Sequence, residues 1–255
     1  MIPAVVAALV AALFAQAFVR LRRRGRADHA GWDRAALFAA ALALALVALY
    51  GPLDRLAEHD LLSAHMLQHV LIGDAAPALG LVALRGPLLF FFLPAPALGP
   101  LARTGWIRAT LRFLGRPRVA FALWSLNLGV WHVPALYDAA LRHPALHDLE
   151  HACWLNAGIV VWTLLVDPAG HRRLSVGGRV ALAAALFAAG QVLTDVLVFS
   201  FAPLYPAYAG AYGLSAVTDQ QLAGVVMMAE QLLTLGTLAV VLLQPRIRAA
   251  RAVTA

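Results

Sequence analysis

Two histidine pairs at four-residue spacing, His65-Met66-Leu67-Gln68-His69 and His147-Asp148-Leu149-Glu150-His151, are the stretches best equipped for chemistry. On a helix each offset puts both imidazoles of a pair on one face, where neutral ring nitrogens can share a metal ion. A fifth histidine, His132, follows Trp131 near the end of another apolar run. If these runs cross a bilayer, titratable groups lie where polar atoms are expensive, and a functional site is the default reading.

Neutral imidazole suits copper and zinc alike, and the thioethers of Met227 and Met228 tilt the choice toward Cu(I). The single cysteine, Cys153, supplies neither a disulfide nor a CxxC pair. At 100° per residue it is turned away from the His147/His151 face and reads as a packed apolar residue. Asp138, Asp148, Glu150 and Asp219 are placed to orient rings or guide an ion inward, as is His143, a loop residue like His59.

Other chemistries thin out. A retinal Schiff base needs a lysine, and the chain has none. The first pair lacks the glutamate of HExxH, whereas the second fits the shorter HxxEH pattern. An intramembrane zinc hydrolase using the same histidines, with Glu150 or Asp195 as base, is therefore the alternative to copper handling. Haem ligation fits less well, because it asks for histidines facing one another across helices rather than clustered near one surface.

These side chains must be positioned by membrane helices. Of 255 residues 62% are hydrophobic and mean hydropathy is +0.77, far above a soluble domain, and the apolar stretches run to about 20 residues. The alternating pattern of a membrane barrel is absent. The expectation is a single all-α domain, a seven-helix bundle spanning at 2–19, 35–50, 61–83, 119–137, 144–166, 180–201 and 219–243. The segment from 87 to 118 is punctuated by Pro and Gly. Within it, 106–114 places Arg108 and Arg112 at one helical spacing and Ile107, Leu111 and Leu114 at another, so a surface-lying amphipathic helix is expected there.

Charge sets the expected orientation. The net charge of +7 comes entirely from arginine. Eighteen arginines fall on one side of this arrangement and only Arg55 and Arg142 on the other. That bias is the positive-inside rule, not a nucleic-acid surface, and it places the amino terminus outside and the carboxyl terminus inside. The arginines after the first span also have the wrong polarity for a cleaved signal peptide.

Seven of the nine histidines fall on the outer side or outer half. By helical rise, His69, His151 and His132 lie roughly 12, 9 and 8 Å below the outer surface, so three helices offer imidazole at one level. Angular bookkeeping groups His65 and His69 with Ile72 and Ala76, and turns Asp74 the other way. Gln191, Thr194 and Asp195 form a polar stripe in span six, with Asp195 roughly 10 Å deep. Gln220, Met227 and Gln231 line one side of span seven, with Met228 and Glu230 beside it.

The histidine motifs, together with Trp131-His132-Val133-Pro134, Tyr137-Asp138-Ala139-Ala140, Asp219-Gln220-Gln221 and Ala223-Gly224, resemble the multispanning CtaG family of cytochrome c oxidase assembly factors associated with caa-type oxidases. The resemblance covers spans three to seven. It implies a bacterial plasma-membrane protein whose partners are the lipid bilayer and cytochrome c oxidase subunits, and which helps mature that oxidase by delivering or holding copper. The metal set expected is His65, His69, His132, His147 and His151 with Met227 or Met228, opening to the outer side. The sequence is compatible with a homo-oligomer.

Overall fold

Where the chain turns, a proline usually restarts it. Proline's fixed φ and missing N–H suit a helix's first turn. Among the described residues it is the first residue of five helices, at Pro52, Pro87, Pro117, Pro134 and Pro144, of which Gly51-Pro52 and Gly86-Pro87 are the sharpest cases: both glycines have positive φ, 91° and 69°.

The computed structural model describes residues 2–254 and is all-helical among them. Helices α1 (Ile2–Arg23) and α2 (Trp32–Leu49) lead to a short helix α3 (Pro52–His59). Next come α4 (Leu62–Val70), a wide π turn (Leu71–Ala75) and α5 (Ala76–Ala83), which together make one span. The punctuated segment forms α6 (Pro87–Phe92), α7 (Ala95–Arg103) and α8 (Gly105–Leu114). Helices α9 (Pro117–Trp131), α10 (Pro134–Arg142), α11 (Pro144–Val166), α12 (Val176–Phe199) and α13 (Ala216–Thr254) complete the bundle. Six helices among the described residues are long and apolar enough to cross a membrane, and α9 with α10, bent by 75°, make up to a seventh.

Two departures from the sequence reading matter for the site. The fourth span does not run straight to Tyr137; α9 stops at Trp131, because Pro134 cannot continue it and Val133 before it is driven to extended backbone. The polar stretch before span three is not a plain loop but carries α3, which packs against α4. Helix α8 does form over the segment read as amphipathic, and none of its residues is buried, with Trp106, Leu111 and Phe113 exposed.

Burial ranks the helices. The α4–α5 span is 56% buried and α11 50%, against 22% for α1. The larger core surrounds that central pair with Met66, Trp124, Tyr137, Trp154, Trp162 and Met227, while a smaller one joins α1, α2 and α6 through Phe14, Phe18, Phe38 and Leu88. The central span meets α11 at a crossing of small residues. A Cβ on Gly158 would collide with the Gly73 carbonyl, and one on Gly73 would stand 3.2 Å from the Trp154 ring. Small residues let two backbones approach without side chains between them. Here the approach sets the spacing between His69, one turn from Gly73, and His151, two turns from Gly158.

Candidate metal centre

Helix α4 begins on a carboxylate from the far end of the chain. Asp219 on α13, fully buried, accepts from Leu62 N at 2.7 Å and Ser63 N at 3.1 Å, and from the Ser63 hydroxyl at 2.5 Å. It thus satisfies free N–H groups and puts negative charge at the positive end of the helix. The neighbouring Gln220 accepts from Leu204 N at 2.7 Å, so adjacent residues hold both α4 and the 200–215 segment. Gln68 donates to Ala48 O at 2.7 Å and Asp54 Oδ1 at 2.8 Å, fixing the roll of α4 against α2 and α3. The Asp54 carboxyl is pushed above its usual range, first by burial and then by Glu58.

The roll of α4 aims His65 and His69 at α11. Their Nε2 atoms are 2.9 Å apart. Two nitrogens each bound at about 2.0–2.1 Å to one ion stand roughly 3 Å from each other, so the pair is spaced as joint ligands are. His151 joins them, all three ligand atoms lying within 4.8 Å of one another, and His65, His147 and Glu150 form a second such triplet. Ring centroids of His147 and His151 are 4.1 Å apart, and Glu150 Oε1 is 3.5 Å from His69 Nε2. Every one of these residues is buried, His65 and Glu150 completely. The structure therefore contains a clustered His/Glu site able to coordinate a metal ion.

Hydrogen bonds prepare the nitrogens for that role. Tyr208 OH donates to Ala57 O at 2.6 Å, so it accepts from His65 Nδ1 at 2.8 Å, and the His65 proton is assigned to Nδ1. That leaves a lone pair on Nε2, facing the cluster. His147 Nδ1 lies 3.2 Å from Glu58 Oε1, which likewise frees Nε2. The Nε2 atoms of His147 and His151 and both Glu150 oxygens have no hydrogen-bond partner among the described residues. Unpartnered buried polar atoms are costly, and four of them converging in one cluster fit a cation.

The site is roofed rather than open. Tyr208 and Tyr205 come from the 200–215 segment, and Tyr137 from α10 lies with its ring 5.0 Å from that of His65. Tyr205 OH donates to His132 O at 3.0 Å. Burial raises the hydroxyl pKa of Tyr205 and Tyr208 above the ordinary phenol value, so both stay neutral donors. The expectation of ligands open to the surface is corrected by this cover. At the edge of this cover, His147 meets Glu58, whose side chain is 37% exposed.

The other residues singled out in the sequence divide. His132 is buried at the α9–α10 break, its ring centroid 6.4 Å from that of His69, and takes part in neither triplet. Met227 is buried beside it, lining the same small cavity as His132, while Met228 is only half-buried and lines no part of that cavity. Asp138 is half-buried with Oδ1 unpartnered. His143, Asp148 and Asp195 are exposed; α12 turns Thr194 inward, and the next residue, 100° on, must face out. Cys153 is half-buried and belongs to neither triplet. Asp74 does not point away as ideal rotation predicts: the π turn alters the rotation, and Asp74 lines the cavity beside His69. Sequence reasoning missed Glu58, Tyr137, Tyr205, Tyr208 and Met66; the Pro-, Gly- and Tyr-rich composition of 200–215 was the visible signal for two of them.

The family comparison bears on this arrangement. Residues 12–249 match the family described as cytochrome c oxidase caa3 assembly factor (Caa3_CtaG). The chain belongs to the CtaG family. The match takes in about half of the first span, the second span and the 87–118 segment as well as spans three to seven, so the bundle around the histidine cluster is CtaG-type. Comparison with curated proteins and with solved structures finds no match.

Proposed function

We propose that this chain is a multi-pass assembly factor of the bacterial plasma membrane that binds copper at the His65/His69/His147/His151 cluster and supports metallation of a cytochrome c oxidase. CtaG membership supports the assembly role and the oxidase partner. The observation that carries the metal reading is the cluster itself: four imidazoles and one carboxylate from two helices, buried together with their free ligand atoms converging. Copper is the cargo. His65, His69 and His151 hold it, with His147 and Glu150 within reach of His65, so ligands can be exchanged one at a time as the ion moves on.

The topology follows from counting α9 and α10 as one broken span in a single seven-span domain. Helix α9 alone is about 22 Å long, short of the roughly 30 Å hydrocarbon core, and α10 completes the crossing at an angle. Seven spans leave the termini on opposite sides, and the arginines assign the amino terminus to the outside. The α3 end of the bundle, with Glu58 and Asp54 at its mouth, then faces the periplasm, where acidic groups draw a cation toward His147.

The test is complementation. A strain lacking this protein and supplied with wild type is expected to make copper-replete, active oxidase, while one supplied with His65→Ala/His69→Ala makes oxidase deficient in copper. Normally metallated oxidase in the strain lacking the protein refutes the role. One observation favours a second reading, an intramembrane zinc hydrolase: Glu150, with both oxygens unpartnered, stands beside His69 where a general base is needed. Stoichiometric zinc in the purified protein, with lipid or amide hydrolysis lost in Glu150→Gln, would establish it in place of the copper reading.

A further inference from the structure

Beneath the histidine cluster lies a separate chamber. It is a cavity of about 20 Å³, enough for one water or one ion, lined by Met66, His69, Asp74, His132, Met227 and Gln231 among others. Its donors differ in kind from those above it. His132 Nδ1 lies 2.8 Å from Leu128 O, and a carbonyl can only accept, so the proton is on Nδ1 and Nε2 carries a lone pair. That lone pair faces Met66 Sδ at 3.2 Å. A thioether has no proton to give, so the two atoms meet lone pair to lone pair, as a nitrogen and a sulfur do when they share a soft cation. The second buried thioether, Met227, borders the same space.

Further observations point to an ion here. The Gln231 Oε1 at the cavity wall is buried with its lone pairs unpartnered among the described residues. Asp74, held by Trp162 Nε1 at 2.9 Å, provides a carboxylate at the wall. A cation bound by neutral ligands at membrane depth needs such a countercharge. His69 belongs to both places, its Nε2 turned to His65 and its ring bordering the chamber.

We propose that Met66, His132 and Met227 form a second, inner station for a soft monovalent cation, Cu(I), with Asp74 balancing its charge and His69 shared with the outer cluster. Thioether with imidazole selects Cu(I) over zinc, whereas the all-histidine cluster with Glu150 does not discriminate as sharply. The chain thus offers an outer nitrogen and oxygen station and an inner sulfur and nitrogen station. Passage between them exchanges ligands and leaves the oxidation state unchanged. The inference rests on the copper reading of the cluster, and its test separates the two.

Purified full-length protein is titrated anaerobically with Cu(I) against a chromophoric chelator, and the bound copper is read by X-ray absorption. Wild type is expected to bind two ions, with sulfur among the scatterers. Met66→Leu/Met227→Leu, a volume-conserving change that keeps the core filled, is expected to bind one ion with a sulfur-free spectrum. His147→Ala/His151→Ala is expected to lose the outer ion and keep the sulfur signal. A wild-type protein holding one copper in a sulfur-free environment overturns the inner station and leaves the outer one standing. So does a sulfur signal that survives in Met66→Leu/Met227→Leu. Wild type that binds no Cu(I) overturns both.

Discussion

Gly158→Ala tests whether the glycine crossing sets the metal site. The added Cβ would sit 2.7 Å from the Gly73 carbonyl carbon and collide with its oxygen, and both atoms are backbone, which no rotamer change can move. Ordinary contact begins at 3.4 Å, so α11 must retreat from the central span by at least about 0.7 Å. Overpacking of this kind costs about 1–3 kcal/mol. The retreat also carries His151 away from His65 and His69, whereas metal ligands tolerate only about 0.2 Å of misplacement. Copper affinity should fall at least tenfold, the scale of loss seen when ligand orientation is disturbed. The assay is competitive Cu(I) titration beside a thermal melt, with Gly129→Ala on the exposed face of α9 as control, since nothing lies within 4 Å of its Cβ. Unchanged affinity and stability in Gly158→Ala would refute the claim that this contact spaces the ligands.

Other perturbations probe the supports. Tyr208→Phe removes the acceptor of His65 Nδ1–H and the donor to Ala57 O, and should weaken copper binding about 10–100-fold and cost about 1–3 kcal/mol in the melt; equal affinity would mean that His65 needs no orienting partner. Asp219→Ala leaves buried Leu62 and Ser63 N–H groups unpaired and should cost about 1–3 kcal/mol in the thermal melt, with Asp219→Asn milder because one acceptor remains. Glu58→Gln should slow copper uptake without abolishing equilibrium binding, since it removes charge at the mouth and keeps an acceptor for His147; an unaltered rate in stopped-flow would place the ion's route elsewhere.

How much of this was legible in the sequence depends on how local the signal was. The i, i+4 pairs fixed the faces of α4 and α11, and the angular position of Cys153 followed from the same regular rotation. That logic failed where the helix is irregular. Asp74 is out of place for an ideal helix because the π turn intervenes, one turn before Pro77, which cannot donate back to Gly73. His132 appeared to belong with the other four because its depth was judged along an unbroken span. Pro134 was visible but its consequence, a 75° break, was not drawn. The tyrosine roof and the Asp219 clamp join residues some 140 to 160 positions apart, and no period or spacing announces contacts of that range.

The most direct measurement is metal content. Full-length protein purified from copper-replete cells is compared with His65→Ala/His69→Ala purified in the same way. The account predicts copper in the wild type and a marked loss in the variant, with the helical content of both alike by circular dichroism. Equal copper occupancy in the two proteins would contradict it.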